Sequence, residues 1–186
     1  MALGKFAMLA ELNKLRPCHI ARLSQALLAA IDDKSKSIEV RSRALEAAAP
    51  LSLPQVKRAI TEAYQSNDAK LRASAIYAMG KNCNRFWLPI LLKELAHSDA
   101  EIRYEAAGAC GELGEEEAVP YLVTLSNDPD AEVRLSAIQA LGKIGSTRAK
   151  ECLEQCLNNP DEALHQAAEQ ALHELEAEES PLSFSV

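Results

Sequence analysis

Asp68-Ala-Lys-Leu-Arg72, Asp99-Ala-Glu-Ile-Arg103, Asp130-Ala-Glu-Val-Arg134 and Asp161-Glu-Ala-Leu-His165 recur at a spacing of 31 residues. Each begins with an aspartate suited to capping a helix and continues into helix formers. The same frame carries Ala75, Ala106, Ala137 and Ala168, and glycines at Gly80, Gly111 and Gly142. One step upstream, Arg41, Ala44 and Ala47 keep the frame while Ser37 takes the capping position. A fixed period of this length marks a stack of supersecondary units, each burying its apolar face only against its neighbours.

The unit is two antiparallel helices. In the copy that starts at Asp99, the side chains of Ile102, Ala106, Ala109, Cys110 and Leu113 recur at helical spacing and define a buried stripe. Gly114 is placed to end that helix in the left-handed conformation. Glu115-Glu-Glu117 and Pro120 suit the start of a second helix, whose core side is Val119, Leu122, Val123 and Leu125. Asn127-Asp128-Pro129 breaks it before Asp130 restarts the cycle. The next copy predicts a helix over 130–144 closed by Gly145, a Ser146-capped helix over 147–157 and a final helix over 161–178. Upstream pairs are expected at 72–80 with 86–96, and at 38–49 with 54–65. Segments 6–15 and 18–31 read as a degenerate first pair.

The fold expected is therefore all-α: a right-handed α-solenoid of stacked antiparallel helix pairs, about eleven helices, with the second helices on the concave side. A single domain would span residues 1–178, in units 1–36, 37–67, 68–98, 99–129 and 130–160, with a capping helix over 161–178 and a disordered tail over 179–186. The alanine columns have a mechanical reason, since methyl side chains let helix backbones approach closely.

Residues 130–145, Asp-Ala-Glu-Val-Arg-Leu-Ser-Ala-Ile-Gln-Ala-Leu-Gly-Lys-Ile-Gly, resemble the HEAT-like repeat of phycobilisome lyases. Residues 68–178 follow the pattern well, 37–67 with a shorter turn and 1–36 weakly. That family holds scaffolds, assembly factors, lyase subunits and a metal-dependent hydroxylase. The resemblance implies an armadillo-like interaction module with a concave binding groove.

Chemistry is harder to find. The hydroxylase branch of the family would require several His-Glu dipeptides to ligate iron. This chain has one, His173-Glu174; His19, His97 and His165 are each followed by another residue. No nucleophile elbow, phosphate loop or paired catalytic carboxylates appear. Cys152 and Cys156 are four apart on one helix face, a spacing open to a soft metal or a thiol adduct, but further ligands at useful spacing are lacking, so packing and free thiols are the reading. Cys110 occupies the core position held elsewhere by Met79 and Leu141; Cys83, in a turn, is the thiol expected to react most readily. Trp87 is read as a packing plug. No catalytic residue, cofactor or metal is assigned, and the chain is expected not to be an enzyme.

Asp68, Arg72, Asp99, Arg103, Asp130 and Arg134 are read as a structural ladder, each arginine pairing with a capping aspartate of its own or a neighbouring unit. Side chains between the core positions of the second helices, Arg58, Ile90, Lys93, Tyr121, Thr124 and Gln155, are the candidate protein-binding surface. Tyr121 is its best anchor, combining a large contact area with a polar tip.

Charge is divided along the chain. Residues 1–93 hold 15 Lys+Arg against 7 Asp+Glu, whereas 94–186 hold 5 against 20, for a net charge of −7. Five cysteines without a C-x-x-C pair, and no long apolar segment, predict a cytoplasmic protein without membrane contact. The function expected is a non-catalytic scaffold or adaptor binding a protein or peptide, with end-to-end self-association through the oppositely charged halves as a sharper form. Nucleic-acid binding by the basic half, and a subunit role in a bilin-lyase-like complex, are the alternatives. The acidic half would repel phosphates, and no small-molecule substrate is expected.

Overall fold

The structure is a computed structural model that describes residues 17–158 and 160–179. Among these residues there are ten α-helices and no strand. They are α1 (Pro17–Asp32), α2 (Ile38–Ala48), α3 (Pro54–Tyr64), α4 (Ala69–Lys81), α5 (Leu88–Glu94), α6 (Ala100–Leu113), α7 (Val119–Leu125), α8 (Ala131–Ile144), α9 (Thr147–Cys156) and α10 (Glu162–Glu179). The helix expected over 6–15 and the tail beyond 179 lie outside the described residues. The chain divides into two compact units, Met1–Asn84 and Arg85–Val186, so the division falls inside the segment that the 31-residue frame assigns to one repeat. No helix among the described residues is long and apolar enough to cross a membrane.

Helix starts follow the capping chemistry of the repeat. The side chains of Ser37, Asp68, Asp99, Asp130 and Ser146 accept from first-turn amides of α2, α4, α6, α8 and α9. Asp161 accepts from the Ala163 amide at 3.1 Å at the start of α10. Gly114 and Gly145 end α6 and α8 with φ of 71° and 62°, the left-handed geometry that L side chains resist.

Two second helices are shorter than their apolar pattern suggests. Each opens with a 3-10 turn, Arg85–Trp87 before α5 and Glu116–Ala118 before α7, and the α-helix proper covers only seven residues. Pro89 and Pro120 sit in the first turn of these helices, where a missing N–H is tolerated. The tighter turn is closed by the Ala118 amide donating to the Glu115 carbonyl at 3.1 Å.

Within the first unit, α2 packs on α1 and α4, and α3 packs on α4. Leu45, Ala48, Val56, Ile60, Ala75 and Met79 are fully enclosed there. Loops are tied down by side chains: Arg41 Nε donates to the Ile31 carbonyl at 2.9 Å, and Asn82 Nδ2 to that of Ala49 at 2.7 Å. Within the second unit, α8 lies between α6 and α10, while α5, α7 and α9 pack on α6, α8 and α10 respectively. Trp87, Leu91, Ile102, Cys110, Leu122 and Leu141 are buried to 2% exposure or less.

The neighbouring first helices approach at small residues. A methyl group added at Gly111 would sit 2.7 Å from Ala140 Cα, and one at Gly142 would sit 2.8 Å from Ala171 Cβ. No side chain fits at either place without moving a helix. Gly108, three residues earlier on the same helix, has only Ser136 Oγ within reach, at an ordinary 3.6 Å.

Opposite effects are therefore expected from one substitution on one helix. Gly108→Ala should raise stability by about 0.5–1 kcal/mol through helix propensity. Gly111→Ala should lower it by about 1–3 kcal/mol because the helix pair must separate. Urea unfolding of both variants provides the comparison; equal effects would mean that the close approach at Gly111 does not exist.

Candidate functional site

The second unit presents one repeated solvent face. Lys93, Thr124 and Gln155 occupy the same repeat position on α5, α7 and α9, and all three are exposed. Tyr121, on α7, is 48% exposed despite its size. Ile90, at the equivalent position on α5, is half-buried. Helices α7 and α9 pack on one another, so Tyr121, Thr124 and Gln155 share a neighbourhood. Arg58 is exposed on α3 of the first unit and is described there by itself.

These side chains differ in how free they are. Lys93 Nζ lies 3.4 Å from Glu94 Oε1, and Glu94 is buried. The Thr124 hydroxyl donates to the Pro120 carbonyl one turn back at 3.1 Å. Near this face, Phe86 is 55% exposed and packs edge-on against the enclosed ring of Trp87, with centroids 5.0 Å apart. Trp87 is thus a packing plug, and its neighbour carries the exposed aromatic surface. Arg85 bridges to both Glu115 and Glu117, linking the starts of successive second helices.

The arginine rungs are built differently from one another. Arg134 reaches the capping aspartate of the next helix: its Nη2 donates to Asp161 Oδ2 at 3.1 Å, and its Nη1 to the Asp128 carbonyl at 3.0 Å. Arg103 does not take a capping aspartate. Its Nε and Nη2 make a two-pronged contact with Asp128, 2.8 Å each, and its Nη1 donates to the carbonyls of His97 and Ser98. Arg72 is half-buried on α4. Asp68, Asp99 and Asp130 spend their side chains on helix amides.

Asp128 was legible only as part of a helix-breaking turn, yet it is the acceptor at the centre of this edge. Burial alone would raise its carboxyl. The hydrogen bonds from Arg103 and from the Asp130 amide, with the charges of Arg103 and Arg134, outweigh that and hold it below the usual carboxylate range.

Among the described residues, Cys83, Cys110, Cys152 and Cys156 are outside any disulfide. Cys110 is enclosed in the core, and burial pushes its thiol up to about 12. Cys83 is exposed in the turn after α4 with φ of 49°, its Sγ 3.4 Å from the Gly80 carbonyl. Cys152 and Cys156 are both buried on α9, at 7% and 9% exposure. Ser126, at the end of α7, places its Oγ 4.0 Å from Cys152 Sγ. The neighbouring Cys156 thiol, aided by Ser126, pulls the Cys152 thiol below its ordinary value, while Cys156 itself is pushed up. Among the described residues no three His, Cys, Asp or Glu side chains converge as metal ligands.

Stacked helix pairs of this kind have known counterparts. Residues 88–173 match the family model of HEAT repeats. No curated protein matches the chain in sequence. Among solved structures, this chain is similar to one in the complex of CpcE and CpcF of phycocyanin lyase from Nostoc sp. PCC7120, with a TM-score of 0.66 and 22% identity. That match covers 82% of this chain but 64% of the other, so this chain spans under two thirds of it. A designed armadillo repeat protein in complex with the peptide (KR)4 is similar over 94% of this chain and 100% of its own, with a TM-score of 0.58 and 17% identity. Human deoxyhypusine hydroxylase is similar over 84% of this chain and 74% of its own, with a TM-score of 0.51 and 17% identity. At these identities the likeness is one of HEAT and armadillo-like fold.

The buried Arg103–Asp128 pair should matter for stability and for its pH dependence. Asp128→Ala leaves a guanidinium without its partner and should cost about 3 kcal/mol. Because the folded carboxyl lies below its unfolded value near 3.9, its contribution is present above about pH 4 and lost as pH falls through the folded value. Asp128→Asn should therefore show a shallower loss of stability on acidification than the parent chain. Parallel slopes would remove Asp128 from the acid response.

Proposed function

We propose that the chain is a non-catalytic scaffold or adaptor, and that the exposed face of α5, α7 and α9 holds a protein or peptide partner. The observation that carries this reading is the repetition of the face. Lys93, Thr124 and Gln155 stand at one repeat position and are all open to solvent, with the half-exposed ring of Tyr121 beside them. A row of equivalent side chains at regular spacing suits an extended segment of a partner, and a rigid tyrosine supplies contact area at low entropic cost. The fold neighbours support the reading at the level of architecture: one is solved in the complex of CpcE and CpcF, another in complex with the basic peptide (KR)4.

Charge suggests the partner's character. Residues 94–186 carry 20 acidic against 5 basic side chains, so a positively charged segment would be drawn to this unit. The basic residues of 1–93 offer such charge to a second copy, which is the basis for proposing end-to-end association. Cysteines outside any disulfide among the described residues suit a reducing compartment, and the cytoplasm is the proposed location.

Three measurements test this reading. Partners captured from the native host by the parent chain should be lost, at least tenfold, with Tyr121→Ala, and kept with Val40→Ala, an exposed position on α2 outside the face. Equal capture by both variants would remove this face from the reading. Sedimentation velocity across salt should show association that weakens as salt rises; a monomer under every condition would end the end-to-end form. Titration with duplex DNA or RNA at low salt should give no binding, and steeply salt-dependent binding would favour the nucleic-acid alternative.

A further inference from the structure

The second unit contains a dithiol that the scaffold reading does not use. Cys152 and Cys156 lie one turn apart on α9 and are both among its buried residues. Ser126, from a different helix, closes the third side at 4.0 Å from Cys152 Sγ. Ala149 and Leu153, on the same helix, are fully enclosed, so the sulfurs sit at an apolar seam with only a narrow opening to solvent.

Helix geometry argues against a direct bond between the sulfurs. Residues four apart on a helix have Cβ atoms about 5–6 Å apart. A disulfide needs about 3.8 Å, so closing one would distort α9. A single atom placed between the sulfurs removes that conflict, because two bonds then span the gap in place of one. Ligand count and charge then select the atom. Zinc in a closed site takes four ligands, and among the described residues no third His, Cys, Asp or Glu joins these two donors. Two thiolates around a monovalent cation would leave a negative charge in an apolar seam, which is costly to bury. A trivalent centre with one organic substituent and two open valences gives a neutral product.

We propose that Cys152 and Cys156 form a two-sulfur clamp for a thiophilic centre of the trivalent organoarsenical class. With phenylarsine oxide as the probe, both S–H bonds and the As–O bond break, two As–S bonds form, and the two protons leave with the oxygen as one water. Arsenic stays trivalent and the sulfurs keep their oxidation state, so no oxidant or reductant is needed.

The test is intact-mass analysis of the folded chain treated with phenylarsine oxide. One adduct per chain is expected, mapping to the segment 149–157, resistant to excess mercaptoethanol and removed by dimercaptopropanol. Cys152→Ser and Cys156→Ser should each lose at least tenfold of the resistant adduct, while Cys83→Ser and Cys110→Ser retain it. Far-ultraviolet dichroism of each variant separates loss of the clamp from loss of the fold, and the mapped segment in the parent chain does not depend on any variant. An adduct displaced by the monothiol, one mapping to another cysteine, or one formed only in denaturant would overturn the proposal.

Discussion

The contact on which the second unit depends is the approach of one helix backbone to the next at Gly111–Ala140 and Gly142–Ala171. At these points the facing groups are a bare Cα and a methyl, so no larger side chain separates the two helices. Packing of this kind returns little energy per residue, but it sets the spacing at which everything else is arranged. Once α8 is held against α6 and α10, the larger side chains of the second helices, such as Leu122 and Leu91, fill the space left on the other side. A period of 31 residues then follows as the length of chain needed to leave one such contact and return for the next.

Polar groups finish the edges that this packing leaves open. Capping aspartates and serines satisfy first-turn amides, and the arginine side chains gather carbonyls from the preceding turn, as Arg103 does with His97 and Ser98 and Arg134 with Asp128 and Pro129. Exposed pairs one repeat apart, Glu39 with Lys70 and Glu112 with Lys143, lie across neighbouring helices but contribute little in water. The buried Arg103–Asp128 pair is of another kind, since either partner alone would be a charge without compensation.

Much of this was legible in the residues. The caps, the closing glycines Gly114 and Gly145, the core role of Cys110 and the enclosure of Trp87 all follow from local rules: a side chain near an amide, a left-handed turn, an apolar stripe of period 3.6. What local rules miss are choices made between elements. Nothing in the motif distinguishes Arg103, which turns to Asp128, from Arg134, which turns to Asp161, because the choice depends on how one turn sits beside the next helix. The same holds for Ser126 beside Cys152, which are 26 residues apart and meet only because α7 and α9 pack together. The short second helices were hidden for a different reason: an apolar pattern does not record whether the opening turn is an α-turn or a 3-10 one. The exposed face of Tyr121, Thr124 and Gln155 was legible as a register, since residues between core positions must face outward.

Helices from successive repeats of the second unit therefore touch through their smallest residues. Proton–proton contacts in solution report on this directly, with alanine methyl groups labelled. Strong nuclear Overhauser effects should join the Ala140 methyl to the α-protons of Gly111, and the Ala171 methyl to those of Gly142. Absence of both, in a chain whose other helical contacts are seen, would contradict the stacking from which the fold, the exposed face and the thiol clamp are all derived.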